Sequence, residues 1–190
     1  MPFPNVLPYQ ILVGPADIYI APVGTAFPVV NVAPAGAWVN VGKTEGGITA
    51  RHTQSVELIR ADQSTGPIKA VRSEEGLEFE TNFAELTLEN YARALNGATV
   101  TSAAGPPAIK TVKMYQGVTV NNFAFLARAS SPYGNFNMQY QVPLVIQAEE
   151  PEVSFVKDDK SVLHVRYVAI EDPAAALPED RFGSLVAQTA

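Results

Sequence analysis

Cysteine is absent from these 190 residues. Neither disulfides nor thiolate metal sites can contribute to stability, and the expected place of folding is a reducing cytoplasm. Long apolar runs are missing too: no stretch approaches the roughly 18 residues of a membrane span, so no such span is expected. Positive charge is scarce at the start, where the first basic residue is Lys43, and the charged opening of a signal peptide is not found. A soluble protein is the expectation. With 13 basic against 19 acidic residues the net charge is -6, the wrong sign for a surface that neutralises nucleic-acid phosphates. That sign still suits a conduit, since a wall past which a polyanion must slide should repel it weakly. Charge is also unevenly placed: Glu74, Glu75, Glu78, Glu80, Glu85 and Glu89 form an acidic stretch, whereas residues 90–148 contain no acid. Opposite patches of this kind suit subunit contacts or a plain solvated surface.

Catalytic constellations are equally scarce. The two histidines, His52 in ITARHT and His164 in SVLHVRYV, have no second His, Cys or carboxylate at metal-face spacing, and a structural role is expected of both. No G-x-S-x-G elbow or S-x-x-K motif supports a serine nucleophile. Glu149, Glu150 and Glu152 lie at a strand end and Asp158 and Asp159 in a turn, where turn geometry already accounts for Asp. The acidic turn lacks the alternating calcium-loop pattern, and the glycines of GGITA precede a β-type run rather than a helix N-terminus. No catalytic residue, metal site or cofactor is therefore expected, and the chain is not read as an enzyme. Tyr91, Tyr115, Phe123, Phe125, Tyr133, Phe136 and Tyr140 fall mostly at apolar positions and are expected in the core rather than on a stacking platform.

What is present is β-patterning. The opening MPFPNVLPYQILVGP carries four prolines in fifteen residues and reads as an extended arm over 1–15. DIYIA alternates as a half-buried strand that stops at Pro22. Residues 22–47 are rich in Pro, Gly, Ala and Val around Trp38 and read as a long loop with a partner to contact. ITARHT, VELIRA, GPIKAVR and LEFETNF then read as successive antiparallel strands; in the last, Leu77, Phe79 and Phe83 share one face and Glu78, Glu80 and Asn82 the other. One helix is predicted over 88–96, capped by Thr87, with Leu88, Tyr91, Ala92 and Leu95 on its apolar face and a left-handed Gly97 at its end. KTVKMYQ, NFAFLARA, NMQYQVPLVIQAE and a hairpin of EVSFV with SVLHVRYVAI follow as strands, Pro143 marking an edge or a bulge. In NMQYQVPLVIQAE the even positions from Met138 to Ile146 form the apolar side, opposite Gln139, Gln141 and Gln147. Residues 171–190 return to Pro and Ala and read as a second arm with one short helix. The organisation is thus a single domain over 16–170 between two arms: mainly β, an antiparallel sandwich or barrel with one flanking helix.

The order strand, long loop, strands, helix, strands resembles the tail tube proteins of long-tailed bacteriophages. The resemblance is carried by GPADIYIAPVG, WVNVGKTEGGIT, VELIRADQSTGPI and EGLEFETNFAELTLENYARALNG, across residues 14–97. It implies a virion protein, assembled in the bacterial host cytoplasm, whose copies form hexameric rings stacked into the tube that delivers the genome. It further implies tape measure and tail terminator or tip proteins as partners, and double-stranded DNA as a passenger that is not held. On that footing Glu78, Glu80, Asn82, Gln139, Gln141 and Gln147 become candidate lumen-facing residues, with outer solvent as the other setting. Trp38, Lys43, Glu45, Asp62 and Gln63 become candidate inter-ring contacts. The same composition suits a head-tail joining or capsid-decorating protein, or the inner tube of a contractile injection system. A carbohydrate-binding module is a further alternative and would need an exposed aromatic platform.

Overall fold

A computed structural model describes residues 14–153, 155, 157 and 160–189. The fold is mainly antiparallel β, with one short α-helix. Ten strands occur among the described residues: β1 (Asp17–Pro22), β2 (Val39–Asn40), β3 (Thr44–Arg60), β4 (Pro67–Phe83), β5 (Val100–Ala103), β6 (Ile109–Val112), β7 (Phe123–Ser130), β8 (Asn137–Gln147), β9 (Leu163–Ala169) and β10 (Ser184–Ala187). Helix α1 spans Leu88–Ala94. Strands run in the order β2-β1-β7-β8-β9-β4-β3, with β10 added to β8, while β5 and β6 make a separate hairpin.

This sheet folds over on itself at β8. Along one edge β8 pairs with β7; along the other its first half takes β10 and its last residues take β9. β4 and β7 are therefore distant in pairing order yet face each other, Phe79 stacking on Phe125 at 4.6 Å between ring centroids. Tyr140 and Tyr167 close the same aromatic cluster, with Ile18, Val142 and Leu163 filling around it. Replacing Phe79 by a small residue would cost about 3–5 kcal/mol, the usual range for emptying a buried aromatic site. The alternation in LEFETNF appears as expected, Leu77, Phe79, Thr81 and Phe83 being buried.

Pro143 marks a bulge. The β7 register steps from Phe125↔Val142 to Phe123↔Val145, so β8 carries one extra residue there. A single extra residue reverses which side chains face the core. Val142 before the bulge and Val145 after it are both buried, whereas Leu144 and Ile146 are only partly covered. The uniform even-number apolar face expected of this strand is thereby corrected.

Other segments differ from expectation. ITARHT and VELIRA are one continuous strand, as are GPIKAVR and LEFETNF, because irregularities near Ser55/Val56 and Ile59/Arg60 absorb the change of phase that resembled a turn. Of KTVKMYQ only the part within Ile109–Val112 is strand, paired with the unforeseen β5. In EVSFV the described residues show one bridge, Val153 to Leu163; Ser154, Val156, Asp158 and Asp159 lie outside the described residues. The expected C-terminal arm is instead a 3₁₀ turn at Pro178–Asp180 followed by β10, which docks on β8, and Phe182 packs against the core. The N-terminal arm falls outside the described residues except for Gly14 and Pro15.

Helix α1 is capped by Thr87, whose hydroxyl accepts from the Asn90 amide, and its end passes through left-handed Asn96 (φ 55°) and Gly97 (φ 82°). Its anchor is polar. Buried Asn90 donates from Nδ2 to the carbonyls of Val41 (2.7 Å) and Glu85 (2.8 Å) and accepts from Arg93. Leu88, expected on the apolar face, is exposed.

Candidate functional site

The β3–β4 hairpin extends well past the core. Burial along β4 stops at Leu77, and the nine residues Pro67–Glu75 are all exposed. At about 3.3 Å per residue they carry the hairpin roughly 30 Å past the core. Both strands of this projection expose aliphatic side chains: Leu58 is 54% and Ile68 60% accessible, and Val56, Ile59 and Val71 are also open. Two strands bury little of each other, so such a surface is costly in water unless something covers it. Asp62 and Gln63, two of the proposed inter-ring residues, sit in the turn at its tip and are exposed.

The remaining three residues of that set have duties within the chain. Lys43 donates its backbone N–H to Glu85 Oε1 (2.9 Å), and Glu45 pairs with Lys160 (2.9 Å). Trp38 is only 7% exposed; it stacks on Phe27 at 5.2 Å and donates from Nε1 to the Ala26 carbonyl. A buried indole cannot reach a neighbouring ring, so its place in that set is corrected. The loop expected over 22–47 is shorter, since Val39–Asn40 form β2 and Thr44 opens β3; the part before β2 lies on the outer face of the β1–β7–β8 layer, where Trp38 covers Ala21, Ala124 and Leu126. Arg128 fastens it by donating to the carbonyls of Val30 (3.0 Å) and Val32.

The loop also decides the fate of the glutamines. Gln139 is fully buried beneath it and donates to the Pro28 carbonyl at 2.6 Å, and Gln141 reaches the same oxygen at 3.4 Å. Gln147 is buried on the core side after the bulge, 4% exposed. Neither Gln139 nor Gln147 can face an open channel, because one lies under the loop and the bulge turns the other inward.

Glu78, Glu80 and Asn82 do share a polar face, the outer side of β3–β4–β9. Arg51 lies 3.5 Å from Glu80, Arg166 lies 3.6 Å from Glu78 and 3.0 Å from Glu149, and His164 Nδ1 donates to Asn82 Oδ1 at 2.9 Å. The carboxylates are thus neutralised across strands, three acids facing two bases, which gives a polar face of nearly balanced charge.

A second unpartnered surface surrounds the start of α1. Leu86, Leu88, Tyr91, Met114, Val153 and Phe155 line an open groove whose rim carries Glu150 and Glu152. Phe155 is 87% and Met114 65% exposed. Nearby Tyr115 is 90% exposed, and Tyr133 is also open to solvent; both were expected in the core, but Tyr115 lies in the irregular segment after β6 and Tyr133 in the turn after β7, beyond the strand ends. This groove was not legible in the sequence, since its walls come from three separated segments. Lys110, at 2.6 Å from Glu89, ties the β5–β6 hairpin to α1 and holds the Glu89 carboxyl below its usual range.

Among the described residues no cluster of three or more His, Asp or Glu could hold a metal ion, and no helix is long and apolar enough to cross a membrane. Neither a scan against protein-family models nor a search of curated proteins returns a match.

Proposed function

We propose that the chain is a structural subunit whose copies assemble into hexameric rings stacked as the tail tube of a long-tailed phage, the conduit for genome delivery. The observation that carries this reading is the β3–β4 hairpin: about 30 Å of ordered, aliphatic-bearing ribbon that no other described residue of its chain covers. An element of that kind belongs to a protein completed by its neighbours. β3 is also an edge strand, and closing such edges around a ring removes the hazard of an open ladder. The resemblance across residues 14–97, which includes the whole hairpin and α1, supports the tube as the form of assembly. The face bearing Glu78, Glu80 and Asn82 suits a lumen: its charges are internally paired, so it offers DNA little to adhere to.

Concentrated pure protein, nucleated with a tail-tip extract, is expected to give rings and tubes of uniform diameter in negative-stain electron micrographs. A protein that sediments as a monomer at every concentration, with or without the nucleus, would overturn the reading.

A further inference from the structure

We infer that the Asn96–Gly97 linkage at the end of α1 is a self-modification site gated by the fold. When the contact between α1 and β8 opens, Asn96 cyclises onto the Gly97 amide and becomes aspartate or isoaspartate, and the contact cannot then close as before.

Strain points to the place. Asn96 is the one non-glycine residue with a positive φ among the described residues (55°), in the left-handed region that asparagine tolerates better than most side chains. Its carboxamide holds it there. β7 begins at Phe123, opposite Val145, so further along that edge of β8 no strand of the described residues reaches Gln147. Asn96 takes the empty place: the Gln147 N–H donates to Asn96 Oδ1 (2.9 Å), and Asn96 Nδ2 donates to the Gln147 carbonyl (3.1 Å). A carboxamide can do this because, like a peptide group, it carries an acceptor and a donor side by side.

The following glycine makes the same position reactive. It has no side chain to hinder attack of its nitrogen on the Asn96 side-chain carbonyl. In that step a bond forms between Gly97 N and Asn96 Cγ, the Cγ–Nδ2 bond breaks, and Nδ2 leaves as ammonia, taking the proton from Gly97. Water then opens the cyclic imide at either carbonyl, giving aspartate or isoaspartate with no change of oxidation state. In the folded chain both partners are occupied. Gly97 N–H donates to the Ala92 carbonyl (2.8 Å), and the two polar atoms of the Asn96 side chain are bound to Gln147. Reaction therefore waits for α1 to part from β8, a local opening. Its product cannot rebuild the pair: a carboxylate has no donor for the Gln147 carbonyl and sets negative charge against it. Isoaspartate also lengthens the main chain by a methylene group just before Gly97.

Peptide mapping of the full chain by mass spectrometry, after incubation in mildly alkaline buffer, tests the site. In guanidinium, Asn96 is expected to convert to aspartate and isoaspartate; in the native chain it should do so at least about tenfold more slowly, as a site reached only by local opening does. Equal rates overturn the gate, and an Asn96 that persists in guanidinium overturns the site. Asn96→Asp supplies the product directly. It is expected to melt below the parent at neutral pH, and the deficit should shrink toward about pH 4, where a protonated carboxyl regains a donor. Asn96→Gly keeps the backbone conformation without the side chain, and is expected to lose exchange protection at the Gln147 amide with no such recovery in acid. An aspartate variant that melts with the parent overturns the claim that the product holds the contact open. Full protection of the Gln147 amide in Asn96→Gly overturns the tie itself.

Discussion

At the residue scale, Tyr167 is the clearest case of a cost retained inside the core. Its ring packs on Phe125, yet its hydroxyl is buried with no hydrogen-bond partner among the described residues. Burial pushes the phenol pKa up. Since the folded value lies above the unfolded one, the folded chain keeps its proton after the unfolded chain, near pH 10, begins to lose it. That contribution is fully present below about pH 10 and declines as pH rises beyond it. Tyr167→Phe is expected to leave the fold intact and raise stability by about 1 kcal/mol at neutral pH, because an unsatisfied buried hydroxyl is removed. Urea titrations at neutral pH and above pH 10 check this: the gap between variant and parent should widen in alkali, and a variant less stable than its parent would contradict the assignment.

Among elements, β10 is the one whose docking depends on a single backbone position. Gly183 has φ 88°, and a Cβ there would lie 1.9 Å from the Gln141 carbonyl oxygen. Only glycine permits the chain to approach β8 closely enough for Ser184–Ala187 to pair with residues 138–141. Gly183→Ala is therefore expected to release β10 and the adjoining Phe182 while the rest of the sandwich stays folded. Hydrogen exchange would then show lost protection over 184–187 and along the facing edge of β8, with β4 and β9 unchanged. Protection equal to that of the parent would mean that the backbone has room to move.

For the whole molecule, the division is between a body that holds itself together and extensions that do not contribute to its core. The aromatic cluster of Phe79, Phe125, Tyr140 and Tyr167 draws on four strands of the sandwich; β3 adds only Ile48, packed against the core from near its start, and no core residue comes from β3 beyond it or from β4 before Leu77. Replacing residues 55–74 by a two-residue Asn-Gly turn should shorten the hairpin at a point where the strands already face each other. The melting temperature of the monomer is expected to change little, whereas assembly in electron micrographs is expected to be lost. A large fall in melting temperature would show instead that the projection stabilises the body.

The sequence by itself determined the β class, the helix with its Thr87 cap and Gly97 exit, the two-faced strand around Phe79 and the bulge or edge at Pro143. Each is written in local spacing: period-two alternation, a capping side chain, a residue without an amide hydrogen. Tertiary structure decided the rest. Whether GPIKAVR and LEFETNF are two strands or one depends on how irregular pairing with β3 absorbs a phase change, which the partner strand settles. Gln139 and Gln147 have the composition of a wet face, but a loop more than a hundred residues away covers the first and an extra residue in β8 turns the second inward. SLVA carries no strand signal of its own and becomes a strand because β8 offers it an unpaired edge. The groove at α1 exists only where three distant segments meet. Local patterns fix what a segment can become; which surfaces stay uncovered is fixed by the other segments that reach them.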